Sequence, residues 1–186
     1  MNATLLAENS LFVGNLVDVA RANALADDFA AYATRANLGA DPQCPRSPAA
    51  YNYLPFVELL LEQLPRVTAL VGESLFPTFS YARAYVHGEV LERHIDRASG
   101  EISVTINLRS DELWPIYFTR PDHTVAEVAL QPGEAAIYLG CRSWHWRNSF
   151  SGTSCVQVFL HYVRSRGQYA RACFDNRTPH LNGVRL

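Results

Sequence analysis

A change of periodicity near Pro77 constrains this fold more than any other feature. Beyond it the chain runs as short stretches rich in β-branched and aromatic residues, "FSYARAYV", "EISVTINL", "WPIYF", "TVAEVAL", "AAIYLG" and "CVQVFLHYV", separated by Gly, Pro, Asp and Asn. These read as strands. Before it, Asp18 to Ala33 carries apolar residues at three- and four-residue spacing and reads as an amphipathic helix that Asp18 can cap. Helical period returns from Phe56 to about Val71. Between the two, "GADPQCPRSPAAYNYLP" holds Gly39, Pro42, Pro45 and Pro48 and reads as a surface loop or lid. Helices first and strands afterwards predict an α+β, mainly β chain rather than a parallel βαβ sheet. Six or more closely spaced strands predict closure as a barrel or jelly roll.

With 186 residues, 48% of them hydrophobic, the chain suits a single domain over 1–186. Within it, 1–76 reads as helical support and lid loop, 77–163 as the strand core and 164–186 as a C-terminal tail with five arginines. A formal charge of −2 and a pI near 6.3 give no bulk reason to bind nucleic acid or a membrane, so a small-molecule partner is expected. No apolar run reaches the roughly twenty residues of a membrane span. The four cysteines form no CxxC pair and "MNATLLAENS" has no signal-peptide pattern, so free thiols in the cytoplasm are expected. Nothing in the sequence fixes an oligomeric state. All sixteen basic side chains are arginine. That excludes lysine chemistry and leaves any buried anion to an arginine fork.

His94 and Asp96 in "RHIDR" are two residues apart, and on extended backbone such residues share a side. His145 in "SWHWR" can join them from a later strand if an antiparallel barrel brings the two segments together. Two histidines and one carboxylate on one face of a metal leave positions open for a cosubstrate and oxygen, a ligand set that suits ferrous iron.

The segment "YVHGEVLERHID", with Tyr85, Gly88, Leu91, His94 and Asp96, then Pro132 and Gly133 in "LQPGEAAIYLG", then His145, resembles the iron(II) and 2-oxoglutarate oxygenases. The likeness is to the prolyl-hydroxylase-like and phytanoyl-hydroxylase-like branches, and it runs from about Tyr81 to Val163. Small members of that superfamily carry similar "HxDR…EISVT", "WPIY" and "HWR…QVFLHYV" stretches. The resemblance implies a double-stranded β-helix, cupin-like, with N-terminal helices on one sheet. It also implies that His94, Asp96 and His145 hold Fe(II), that 2-oxoglutarate and O2 take the open positions, and that succinate, carbon dioxide and an oxidised substrate leave. Hydroxylation of an unactivated C–H bond is the simplest outcome; desaturation and ring formation share the same oxidising step. An aspartate at 96, rather than Gly or Ala, argues against a halogenase.

The chain departs from the family at the cosubstrate anchor. Prolyl-hydroxylase-like members carry Lys or Arg about ten residues after the second histidine, and here Cys155 stands there. Arg147, two residues from His145, and Arg83, two before Tyr85, are the leading replacements; structural ion pairs with Glu89 or Glu101 are the competing reading. Arg97 should point away from Asp96, and Arg109 should be solvated. Tyr85, and Asn107, which aligns with a cosubstrate-contacting tyrosine of prolyl hydroxylases, complete the cosubstrate set.

Gln157 is a substrate-side candidate. It and His161 face inward only if Val156, Val158, Leu160 and Tyr162 pack on the helices. Tyr53, in the Pro-rich segment Ser47 to Tyr53, is the other. His87, His123 and His180 read as loop histidines. Trp144 and Trp146 flank His145 and belong on the opposite strand face. Two other functions fit the same residues: a cupin-like isomerase, lyase or cosubstrate-free dioxygenase with the same metal site, and a non-catalytic barrel that binds through "AYNYLPF". A small metabolite or amino-acid-like substrate, and one bearing a carboxylate, suits the size and the arginine surplus.

Overall fold

The computed structural model describes residues 1–176, so His180 lies outside the described residues. Three helices precede or interrupt the strands: α1 (Ala3–Glu8), α2 (Val19–Arg35) and α3 (Leu54–Val71). Asp18 caps α2 through its side chain, which accepts from the amides of Ala20 and Arg21. Ala22, Ala26, Phe29 and Ala33 form the buried stripe of α2, and Phe56, Leu59, Leu60, Val67 and Val71 that of α3. Truncating Phe29, fully buried at their junction, to Ala removes about 3–5 kcal/mol.

The strands are β1 (Ser10–Val13), β2 (Ala40–Asp41), β3 (Cys44–Tyr51), β4 (Leu75–Val86), β5 (Leu91–His94), β6 (Ile102–Ser110), β7 (Ile116–Thr119), β8 (Val125–Val128), β9 (Ala135–Tyr138), β10 (His145–Arg147) and β11 (Ser154–Arg164). They form two antiparallel sheets, a major one in the order β1-β9-β6-β11-β4-β3-β2 and a minor one in the order β5-β10-β7-β8. This is a mainly β, double-stranded β-helix with helices against one sheet. The alternation along β11 divides the core: Val156, Val158, Leu160 and Tyr162 pack against α2 and α3 residues, while Cys155, Gln157, Phe159 and His161 face the barrel interior. Tyr162 satisfies its buried hydroxyl by donating to the Leu60 carbonyl.

Two expectations need correction. The segment read as a structureless lid contains β2 and β3, and β3 pairs with β4 through Ala49↔Arg83, Ala50↔Ala82 and Tyr51↔Tyr81. Its prolines are tolerated because Pro45 and Pro48 precede the ladder of Ala49, Ala50 and Tyr51 with β4, and on the outer side β3 meets only the two-residue edge strand β2, so few ladder bonds are lost. The first 76 residues are therefore not only helical support; β1, β2 and β3 extend the major sheet at both ends, and β4 already begins at Leu75. The described part of the tail folds back as a short 3-10 segment, Ala170–Asn176.

Candidate metal centre

Gly88, with φ +76, turns the chain from β4 toward β5, where the first ligand residue closes the strand. His94 lies directly opposite His145 in the antiparallel register of β5 and β10. Their rings are 4.2 Å apart. Asp96 follows just beyond β5, held by its amide to the Gly140 carbonyl at 2.9 Å. Its Oδ1 is 3.9 Å from His94 Nε2 and 3.6 Å from His145 Nε2. One donor atom from each of the three lies within 4.8 Å of the others.

The histidines are set for ligation. Nδ1 of His94 meets the Glu92 carbonyl at 2.7 Å and Nδ1 of His145 meets the Ser143 carbonyl at 2.9 Å. Each Nδ1 therefore carries the proton and each Nε2 lone pair points at the common centre. Burial pushes His145 down to about 4, against the pull of Asp96, so it is neutral at physiological pH. Ser103 donates to Asp96 Oδ2 at 2.6 Å and is itself 2.9 Å from His161 Nδ1. Gly140 leaves the necessary room, since a Cβ there would sit 2.4 Å from Asp96 Oδ2 and 2.2 Å from the Gly100 carbonyl.

The cavity beside the triad has a volume of about 220 Å³ and is walled by Tyr81, Arg83, Tyr85, Tyr138, Phe159 and His161 among others. Arg83 is 1% exposed and sits in a web: its guanidinium donates to Asp41 at 2.5 Å, to Gln43 and Tyr81 and Tyr85 hydroxyls at 3.2 Å, and to Cys44 Sγ at 3.1 Å. Arg147, also 1% exposed, faces the same interior but is set back from the cavity wall. It donates to the Trp114 carbonyl and, at 3.4 Å, to Gln157 Oε1, with its plane over the Trp114 ring. Burial pulls its pKa down, and no carboxylate of the described residues forms an ion pair with it. Glu89 pairs with Arg46 and Glu101 with Arg164, so neither serves Arg83 or Arg147. Among the described residues, Nε of both Arg83 and Arg147 is buried without a partner.

The remaining candidates separate. Tyr85 lines the cavity beside Arg83. Asn107 is buried opposite Gln157 and donates to the Leu130 carbonyl, and Gln157 lies beside Arg147 and Thr105; neither reaches the cavity wall. His161 does. Tyr53 is placed away from the cavity: it caps α3, stacks on Tyr32 and donates to Asp28. Arg109 pairs with Asp27 outside. Trp146 stacks on Tyr117, and Arg93 lies over Trp144 and Trp146 on the outer face. Arg97, expected to point away, lines the cavity, because β5 ends at His94 and strand alternation no longer governs it. Asp41, Ser103, Tyr138 and Asp175 carried no local signal; each reaches the site through contacts distant in sequence.

This fold recurs in solved structures. The chain has the 2-oxoglutarate oxygenase fold. A prolyl-4-hydroxylase from Pseudomonas putida superposes with a TM-score of 0.71 at 13% identity, over 88% of this chain and 96% of that one. HygX from Streptomyces hygroscopicus, solved with nickel and 2-oxoglutarate bound, gives 0.67 at 13% identity over 87% and 85%. SnoK, an α-ketoglutarate-dependent carbocyclase of nogalamycin biosynthesis, gives 0.72 at 10% identity over 87% and 82%. No protein-family model and no curated protein matches the sequence.

The donor set fits a metal of this fold. Two imidazoles and a carboxylate oxygen converge beside the cavity. Two buried guanidiniums, Arg83 on the cavity wall and Arg147 behind it, keep an Nε without a partner among the described residues.

Proposed function

We propose that the chain is an Fe(II)- and 2-oxoglutarate-dependent dioxygenase that oxidises an unactivated C–H bond of a small metabolite or amino-acid-like substrate. The observation that carries this reading is Arg147. A fully buried guanidinium without a carboxylate partner is expensive unless an anion binds near it. It stands two residues from the ligand His145, on the same strand.

His94, Asp96 and His145 would hold the iron. Iron with bound 2-oxoglutarate supplies the oxidising chemistry, which ends in succinate, carbon dioxide and an oxidised substrate. Arg83 and Tyr85 on the cavity wall, with Arg147 behind, would hold the distal carboxylate. Arg83 already shares its charge with Asp41, so Arg147 contributes the uncompensated charge. Asn107 and Gln157 act as supports of this end rather than contacts; Gln157 accepts from Arg147 and keeps its fork in place. Phe79, Leu91, Ile116 and Phe159 supply the apolar part of the cavity wall and would help exclude water from the reacting end. Hydroxylation is the simplest outcome, though the fold also serves a carbocyclase.

The partner set is one small molecule, with no nucleic acid or membrane, and the site is cytoplasmic. No helix of the described residues is long and apolar enough to cross a membrane. Calorimetric titration of the metal-loaded chain with 2-oxoglutarate tests the reading. Micromolar affinity that weakens at least about tenfold in Arg147→Gln and in Arg83→Gln supports it, tenfold being one charge-assisted hydrogen bond. Unchanged affinity in both variants would return the site to the cupin-like alternative.

A further inference from the structure

Arg97 lies between the metal ligand Asp96 and the C-terminal segment, and it lines the cavity while remaining 36% exposed. Its guanidinium is stacked over Phe79 at 4.2 Å, and Phe79 is stacked on His161 at 4.1 Å. The fork is thus oriented by cavity residues, independently of anything that binds it. Onto this fork comes Asp175. Both carboxylate oxygens accept from Arg97 at 2.5 Å, and Ser99 Oγ donates a further bond at 2.6 Å. The Asp175 side chain is 5% exposed, so it fills a recess shaped for one carboxylate.

The segment that delivers Asp175 is strained at the point of contact. Phe174 and Asp175 both adopt left-handed backbone, φ 52 and 53, which L-residues with a side chain enter only at a cost. Phe174 is 61% exposed, so no apolar anchor offsets that strain at this point. The ion pair and the strain oppose each other, so a competing carboxylate that takes Arg97 would release the strain.

We propose that the recess of Arg97 and Ser99 is the site for a carboxylate group of the substrate, closed in this structure by the chain's own Asp175. The stretch that ends in Asp175 is then a latch on Arg97, a residue of the cavity wall, and a carboxylate-bearing molecule opens it by taking the place of Asp175. The word "substrate" rests on the oxygenase reading above; the carboxylate site itself does not.

The probe is benzoate, with benzamide as its uncharged counterpart, titrated into the full chain by ligand-observed NMR. A latch closed nine-tenths of the time weakens apparent affinity tenfold, so Asp175→Asn and Asp175→Ala should bind benzoate about tenfold tighter than the unaltered chain. Adding Arg97→Gln should abolish that gain, and benzamide should bind alike throughout. Equal benzoate affinity with and without Asp175, or a gain that survives Arg97→Gln, overturns the proposal. A chain that makes no succinate but shows the shift loses only the oxygenase reading. One that makes succinate without the shift loses only the latch.

Discussion

Ser103 donates to Oδ2 of Asp96 at 2.6 Å, and Oδ1, the oxygen left over, is the one that faces both histidines. The carboxylate is thereby preset to offer a single oxygen, which keeps the opposite coordination positions open. A hydroxyl has one proton, and the charged acceptor takes it; His161 Nδ1 must then donate to Ser103 Oγ. Ser103→Ala should weaken metal binding by about 10–100-fold while leaving the fold intact. Competition with a chromogenic chelator measures it, and an unchanged affinity would mean that Asp96 is oriented by its backbone alone.

Arg147 offers a sharper contrast between stability and function. If its buried charge is kept for an anion, Arg147→Met should raise the thermal stability of the metal-free chain by about 1–3 kcal/mol and weaken 2-oxoglutarate binding at least about tenfold. Denaturant melts and calorimetry of the same variant check both halves. A less stable variant with normal cosubstrate affinity would make Arg147 a structural residue.

Gly140 is held by space. A methyl there would meet backbone at 2.2 Å and the ligand carboxylate at 2.4 Å, and the Gly100 carbonyl cannot rotate away as a side-chain tip could. Gly140→Ala should therefore displace Asp96 and abolish metal-dependent activity, with a stability loss of about 1–3 kcal/mol. Metal titration distinguishes this from simple unfolding.

Acid should loosen the chain through His161. Burial lowers its pKa to about 4, against the pull of Asp96 and reinforced to a smaller extent by the charges of Arg97 and His145. The unfolded chain binds that proton near pH 6.5 and the folded chain does not, so stability present above pH 6.5 is lost as pH falls toward 4. His145 adds a loss of the same sign. Unfolding curves of the metal-free chain between pH 7 and 4.5 should fall steeply, and His161→Asn should flatten the slope by about half.

Helices α2 and α3 and the His94–Asp96 pair were legible because each rests on a local period. Asp18 before an alanine-rich stripe gave α2, and the two-residue spacing of His94 and Asp96 gave one side of the site. The same rule failed at the next residue. Strand geometry stops at His94, and Arg97 turns inward to a cavity the alternation would deny it. Pro45 and Pro48 hid β3, since a proline pattern cannot distinguish a loop from a strand near a sheet edge whose amides need few ladder partners. Asp41 on Arg83 and Asp175 on Arg97 are long-range carboxylate pairs, set by how the sheet edge and the tail dock. No spacing encodes them. Tyr53 looked like a mouth residue because it ends the Pro-rich stretch, but its ring is spent on the junction of α2 and α3.

The most direct measurement is succinate formation from 2-oxoglutarate in air, followed by NMR, with the purified chain, ferrous iron and ascorbate. The account predicts slow succinate release without substrate, faster release with the right carboxylate-bearing metabolite, and none in Asp96→Ala or His145→Ala. No succinate from the iron-loaded chain with any candidate metabolite, together with no 2-oxoglutarate binding, would contradict it.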